Sequence, residues 1–113
     1  TSTFASTEVW KMGGHFFEFS RNDSTGLLIS KSCEQKKCEA SKILKTISLK
    51  KLTAEKFSGG KNPGAVLCHE LKNAQVVFLR DLKGNDNSFC MLSDKSFVSS
   101  GSLEIEARKN DEK

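Results

Sequence analysis

The chain has 113 residues, of which 36% are hydrophobic and 28% charged, with a formal net charge of +4. That is enough for one domain with a modest core. It excludes a membrane-spanning helix, since no apolar run approaches the ~20 residues that such a span needs. The four cysteines, Cys33, Cys38, Cys68 and Cys90, favour disulfides over free thiols in so small a chain, with three connectivities open.

Residues 1–7 are small and polar and read as a mobile lead. Residues 8–12, with Val9 and Trp10, are expected to form a short strand, and Gly13-Gly14 turns the chain. His15-Phe16-Phe17-Glu18-Phe19 is aromatic and reads as a second strand. A turn of Asx and Gly residues spans positions 21–26, and a third strand spans 27–32, ending at Cys33. Cys33 and Cys38 enclose the polar tetrapeptide Glu34-Gln35-Lys36-Lys37. That spacing suits a local disulfide, provided the two Cα atoms come within about 7 Å.

Residues 39–52 fit two patterns. As a helix, Ile43, Leu44 and Ile47 cluster, but Leu49 and Leu52 fall on the opposite side. As a strand, Ile43, Ile47 and Leu49 share a face, interrupted by Lys45. The strand, over 41–49, is preferred. Residues 53–60 then form a linker with Phe57 as an anchor, and Gly59-Gly60 gives freedom before Asn62.

Residues 62–98 organise the chain. Asn62 is a good N-cap, because its side-chain oxygen can accept from an orphan N–H of the first turn. Pro63 at the first helical position has no N–H to waste. Ala65, Val66, Cys68 and Leu71 put small or apolar groups near one side, and Asn73 closes the helix. Val76 to Leu79 have strand propensity. Lys83-Gly84-Asn85-Asp86-Asn87 is turn chemistry, and residues 89–92 resume the strand. A Cys68–Cys90 bridge would fix the helix on this hairpin. Phe97-Val98 and Leu103-Glu104-Ile105 supply a last strand around Gly101, and residues 107–113 form a frayed charged tail. The halves echo each other loosely: residues 17–33 and 77–90 each read strand, polar turn, strand, cysteine.

The pattern of Asn62, Pro63, Ala65, Cys68, Gly84, Cys90, Asp94 and Ser96 resembles the small bacterial "putative haemolysin" domain family, over about residues 60–103. That family is of unknown function and occurs in exported proteins and envelope lipoproteins. The resemblance implies the Cys68–Cys90 bridge. The family's second bridge does not carry over, because Val98 stands where a further cysteine is usual and the final cysteine is missing.

Charge is uneven. Positions 31–56 hold eight lysines and three glutamates, a local charge of +5. Lys36, Lys37, Lys42 and Lys45 offer a surface to anionic partners such as phospholipid headgroups or glycans. The preferred reading is a solvated lysine face that keeps an edge strand soluble. No aromatic residue interleaves with these lysines, so nucleic acid is not an expected partner.

Catalytic patterns are lacking. His69 and Glu70 are neighbours on the expected helix and point in different directions. His15 could meet them only through the fold. There is no G-x-S-x-G elbow, no Walker loop and no C-x-x-C pair. Gly84-Asn85-Asp86-Asn87 has a trace of calcium-loop character without EF-hand spacing. Asp81, Asp86 and Asp94 are explained by turn capping. No catalytic residue, cofactor or metal is assigned.

The expectation is one α+β domain over residues 1–113: an antiparallel sheet with one short helix packed on it and two disulfides. A β-rich part would span 8–57 and a helix-hairpin part 60–105. The chain lacks an initial Met and a signal-like stretch, and is read as the mature part of an extracytoplasmic protein, whether periplasmic, lipid-anchored or secreted. Its expected role is a binding or inhibitor-like module that contacts a protein through Asn85, Asp86 and Asn87 at the hairpin tip. The alternative is a membrane-acting toxin using the lysine-rich surface. Non-reducing peptide mass mapping should find Cys33–Cys38 and Cys68–Cys90; a Cys33–Cys68 or Cys38–Cys90 linkage would overturn the pairing.

Overall fold

Alternating residues on either side of Gly13-Gly14 build the first hairpin. In the computed structural model, which describes residues 6–22, 24–34, 37–50, 52 and 62–112, β1 (Ser6–Met12) pairs antiparallel with β2 (His15–Arg21). Gly13 has φ 61°, as a tight two-residue hairpin loop requires. β3 (Leu28–Ser30) adds to β2 through Phe19↔Ser30, Ser20↔Ile29 and Arg21↔Leu28. A second meander follows from β4 (Gln75–Asp81), β5 (Asp86–Met91) and β6 (Phe97–Ser99). β1 pairs with β4 and β3 pairs with β6, both antiparallel. The sheet therefore closes on itself as a barrel in the order β1-β2-β3-β6-β5-β4.

This corrects the expected fold class. The architecture is a closed six-stranded antiparallel barrel and not an open sheet with one packed helix. The physical reason is that β3 and β6 are buried on both faces. Leu28 and Phe97 point into the barrel, while Ile29 and Val98 point out beneath helices. The barrel interior is filled by Trp10, Phe19, Leu28, Val77, Leu79, Phe89 and Phe97. Its rings interlock, with Phe19 and Phe89 centroids 4.9 Å apart and Trp10 edge-on to Phe89 at 5.1 Å. Small barrels are packed cores of this kind.

Three α-helices are present among the described residues. α1 (Glu39–Ile43) replaces the strand expected over 41–49. Cys38 caps it: the sulfur accepts from the Ser41 amide at 3.3 Å, and Ser41 Oγ accepts from the Cys38 amide. α2 (Pro63–His69) starts as expected, with Asn62 Oδ1 accepting from the Ala65 amide at 3.2 Å. α3 (Ser100–Asp111) replaces both the last strand around Leu103-Glu104-Ile105 and the frayed tail. It is capped by Ser99, and Leu103 and Ala107 are fully buried. The third expected strand is also shorter, because the chain enters a 3-10 turn at Lys31–Glu34. The linker expected over residues 53–60 lies outside the described residues.

Both expected disulfides are present: Cys33–Cys38 with Cα atoms 5.4 Å apart, and Cys68–Cys90 with 5.6 Å. The second ties α2 to β5 across a loop whose closure contributes about 3 kcal/mol in the chain-entropy model. Such bridges fit an oxidising, extracytoplasmic setting.

α2 and α3 meet backbone to backbone. Gly64 is buried, and a Cβ there would stand 1.8 Å from the Ser100 carbonyl oxygen. Gly64→Ala must therefore push the helices apart and should cost at least about 2 kcal/mol. Asn62→Ala, which removes only a cap bond, should cost about 1 kcal/mol. Urea unfolding of the two variants checks the order; a neutral Gly64→Ala would mean that the helices do not touch there.

Candidate functional site

Strand alternation decides which side chains leave the barrel. On β4, Val77 and Leu79 point inward and are buried, while Phe78 and Arg80 point outward. Trp10 on β1 points in and Lys11 out; Phe17 and Phe19 on β2 point in and Phe16 out. Strand pairing aligns Phe16, Lys11, Arg80 and Asp86 in one row across β2, β1, β4 and β5. Phe78 lies two residues before Arg80, and Leu82 two residues after. Phe16 is 64% exposed, and Phe78 and Leu82 are each 70% exposed. The helices pack over β3, β5, β6 and the start of β4, so this is the face they leave open. Three large apolar side chains thus stand exposed here, with Lys11 and Arg80 between Phe16 and Phe78 and with Leu82 in the turn beyond β4.

The expected contact residues sit at the edge of this face, and their side chains are engaged within the hairpin. Asn85, Asp86 and Asn87 are all exposed. Asp81 accepts from Asn85 Nδ2 at 3.0 Å and from the amides of Asn85 and Lys83, each at 2.9 Å. The Asn85 side chain, then its amide, hold the Asp81 carboxyl below the usual range. Asp86 takes both ends of the Arg80 guanidinium, at 2.8 and 3.2 Å. Asn87 Oδ1 accepts from the Ser88 amide at 2.9 Å. The tip is thus a self-satisfied turn. Phe78, Leu82 and Phe16 beside it were not singled out from the sequence. Alternation in Val77-Phe78-Leu79 carried the signal, since one of three adjacent apolar residues must face away from the other two.

A cleft of about 570 Å³ opens at the barrel end nearest this turn, between Glu8, Trp10 and Arg21 on one side and Asp81, Leu82 and Asn85 on the other. Glu8 receives a two-point hydrogen bond from Arg21, and Trp10 Nε1 donates to Glu8 Oε1 at 3.0 Å. The Arg21 hydrogen bond holds the Glu8 carboxyl low against the opposing effect of partial burial. A carboxylate held ionised in this way suits structure rather than proton donation.

The other sequence candidates do not converge. His15 is exposed at the start of β2, and His69 is exposed in the last turn of α2. Among the described residues no group of three His, Cys, Asp or Glu is arranged to hold a metal. Lys37, Lys42 and Lys45 are exposed on and around α1, on the helix-bearing side; Lys36 lies outside the described residues. Lys42 pairs with Glu39 at 3.8 Å, an exposed contact of small worth. Comparison with protein-family models, with curated proteins and with solved structures returned no match.

Asp94 has a structural task. Its Oδ2 accepts from the Glu39 amide at 2.9 Å, and its Oδ1 accepts from the Ser96 amide and hydroxyl, at 3.0 and 2.5 Å. It staples the β5–β6 turn to the start of α1. Partial burial pushes the carboxyl up, but the Ser96 hydroxyl and the two amides outweigh it, so its pKa is lowered. Stability from this group is fully present above the unfolded aspartate value of about 3.9 and is lost as pH falls through the lower folded value. Asp94→Asn should therefore melt lower than the wild type at pH 7, and the gap should narrow as pH falls below about 4. Thermal melts at several pH values check this; a constant gap would exclude the staple.

Proposed function

We infer that the protein is an extracytoplasmic binding module, inhibitor-like in presenting a rigid surface, with no catalysis of its own. One observation carries this reading: Phe16, Phe78 and Leu82 stand exposed on a barrel face that the described helices leave open. Water contact at these side chains is a standing cost that a partner would relieve. The scaffold beneath them is stiff, with a ring-packed interior and a disulfide-tied helix layer, so little ordering entropy is spent on binding. The resemblance of residues 60–103 to a domain family of exported proteins points to the same compartment.

A second reading has its own support. Lys11 and Arg80 lie between Phe16 and Phe78, and basic groups beside apolar ones suit an anionic lipid surface. No described helix is long and apolar enough to cross a membrane. On this reading the protein acts on the membrane surface, as a toxin would.

The test is a Phe78→Thr, Leu82→Ser double variant. Both positions are exposed, so its stability should stay within about 0.5 kcal/mol of the wild type. Capture of a partner from envelope extract should fall at least about tenfold. Unchanged capture would remove this face from consideration. Leakage of anionic vesicles that disappears in high salt, and is lost in the same variant, would establish the membrane reading instead.

A further inference from the structure

β2 has two unlike halves. From Phe19 to Arg21 it lies between β1 and β3. Among the described residues, His15 to Glu18 pair with β1 alone, because β3 ends at Ser30 and the chain turns into the 3-10 segment Lys31–Glu34. Residues of an antiparallel strand alternate in the neighbour to which they hydrogen-bond. The Asn22 amide donates to Leu27 O on the β3 side, at 2.9 Å. By alternation Ser20, Glu18 and Phe16 turn their N–H and C=O groups to that same side. For Ser20 the neighbour is Ile29 of β3; for Glu18 and Phe16 no described residue continues the ladder. Exposed strand edges of this kind are templates for another strand.

This edge borders a groove of about 500 Å³. Phe16, Phe17 and Glu18 form one wall, with Lys31, Lys95 and Phe97 across from them. The Phe17 and Phe97 rings lie 4.8 Å apart at its apolar side. Lys95 is held in the β5–β6 turn with φ 70°, between Asp94 and Ser96, which bond to each other. Neither Lys31 nor Lys95 has a carboxylate partner among the described residues. Among the described residues, the groove thus combines backbone groups without a ladder partner, an aromatic wall and two lysines without an ion-paired carboxylate.

We propose that this edge receives an extended acidic segment of another protein, which adds as a strand beside Phe16 and Glu18. Its backbone bonds to the N–H and C=O groups that Phe16 and Glu18 turn to that side, one apolar side chain packs on the half-buried Phe17, and an acidic side chain lies between Lys31 and Lys95. Main-chain bonds supply affinity in such strand addition, and alternate side chains supply selectivity. Glu18 in the same wall disfavours a run of acidic residues, so an alternating apolar–acidic pattern fits best. The inference rests on the binding-module reading but uses a different surface from Phe78 and Leu82.

The probe is a fluorescein-labelled hexapeptide of alternating valine and glutamate, acetylated and amidated at its ends, with a valine–lysine peptide as comparison. Anisotropy should show the acidic peptide binding at least about tenfold more tightly than the basic one. Glu18→Pro removes the edge N–H while sparing the β1 ladder, and should weaken binding about tenfold or more with the melting temperature retained. Lys31→Glu with Lys95→Glu should reverse the preference between the peptides, which keeps the test decisive if the proline variant does not fold. Phe78→Thr should leave peptide binding unchanged, so a failure here is separable from a failure of the open face. Equal binding of the two peptides, no binding to the wild type, or binding indifferent to the edge and lysine variants would each overturn the proposal. So would a dimer in sedimentation that Glu18→Pro dissolves, since the edge would then pair with a second copy.

Discussion

Closure of the barrel depends on a seam in which β3 and β6 share one paired position, Ile29 with Val98. One ladder position cannot satisfy the backbone of two buried strands, and an unpaired buried N–H is costly. Serine hydroxyls complete the bonding. Ser30 Oγ accepts from the Phe97 amide, and Ser102 Oγ accepts from the Leu28 amide, each at 2.8 Å. Ser102 is held in turn by Ser99, the N-cap of α3. A helix cap and a barrel seam therefore share one hydrogen-bond chain, and the start of α3 is set by the same residues that close the sheet.

The helix layer follows from that seam. Ile29, Cys90 and Val98 point out of the barrel and must be covered. α3 covers them through small residues, Ser100, Ser102 and Ala107, with Leu103 as its one large buried side chain. Small residues allow α2 to approach closely at Gly64, and the Cys68–Cys90 bridge holds it there. The polar end of α3 is tied too: Asp111 accepts from Ser48 and from the Leu49 and Lys50 amides, while Asn110 donates to the Leu44 and Ile47 carbonyls. Residues 44–50 are thereby fastened to the core without forming a strand.

Concentrating helices on one side leaves two unequal surfaces on the barrel. The open barrel face carries Phe16, Phe78 and Leu82 around Lys11 and Arg80. The short β3 leaves the first half of β2 with an edge that no described strand pairs, beside Lys31 and Lys95. Phe16 belongs to both, outward on the face and lining the groove. The hairpin tip at Asn85 to Asn87, by contrast, spends its polar groups on its own geometry.

The features legible in the residues alone were local ones. Asn62-Pro63 announces a helix start, Gly13-Gly14 and Gly84 announce turns, and Cys33–Cys38 and Cys68–Cys90 were expected from spacing, from placement on helix and hairpin, and from family resemblance. Each depends on contacts within a few residues, or on covalent chemistry that narrows the choice. Barrel closure depends on Trp10 meeting Asp81 and Ile29 meeting Val98, pairings separated by 71 and 69 positions that no periodicity encodes. α1 was hidden because its cap is a disulfide cysteine rather than a usual capping residue. α3 was hidden because its buried stripe is serine and alanine, while Leu103 and Ile105 alternate as they would in a strand. The open face and the β2 edge that no described strand pairs are likewise tertiary outcomes. Whether Phe16 or Phe78 is core or surface, and whether Glu18 has a neighbour, was decided by which strands found one another and where the helices came to rest.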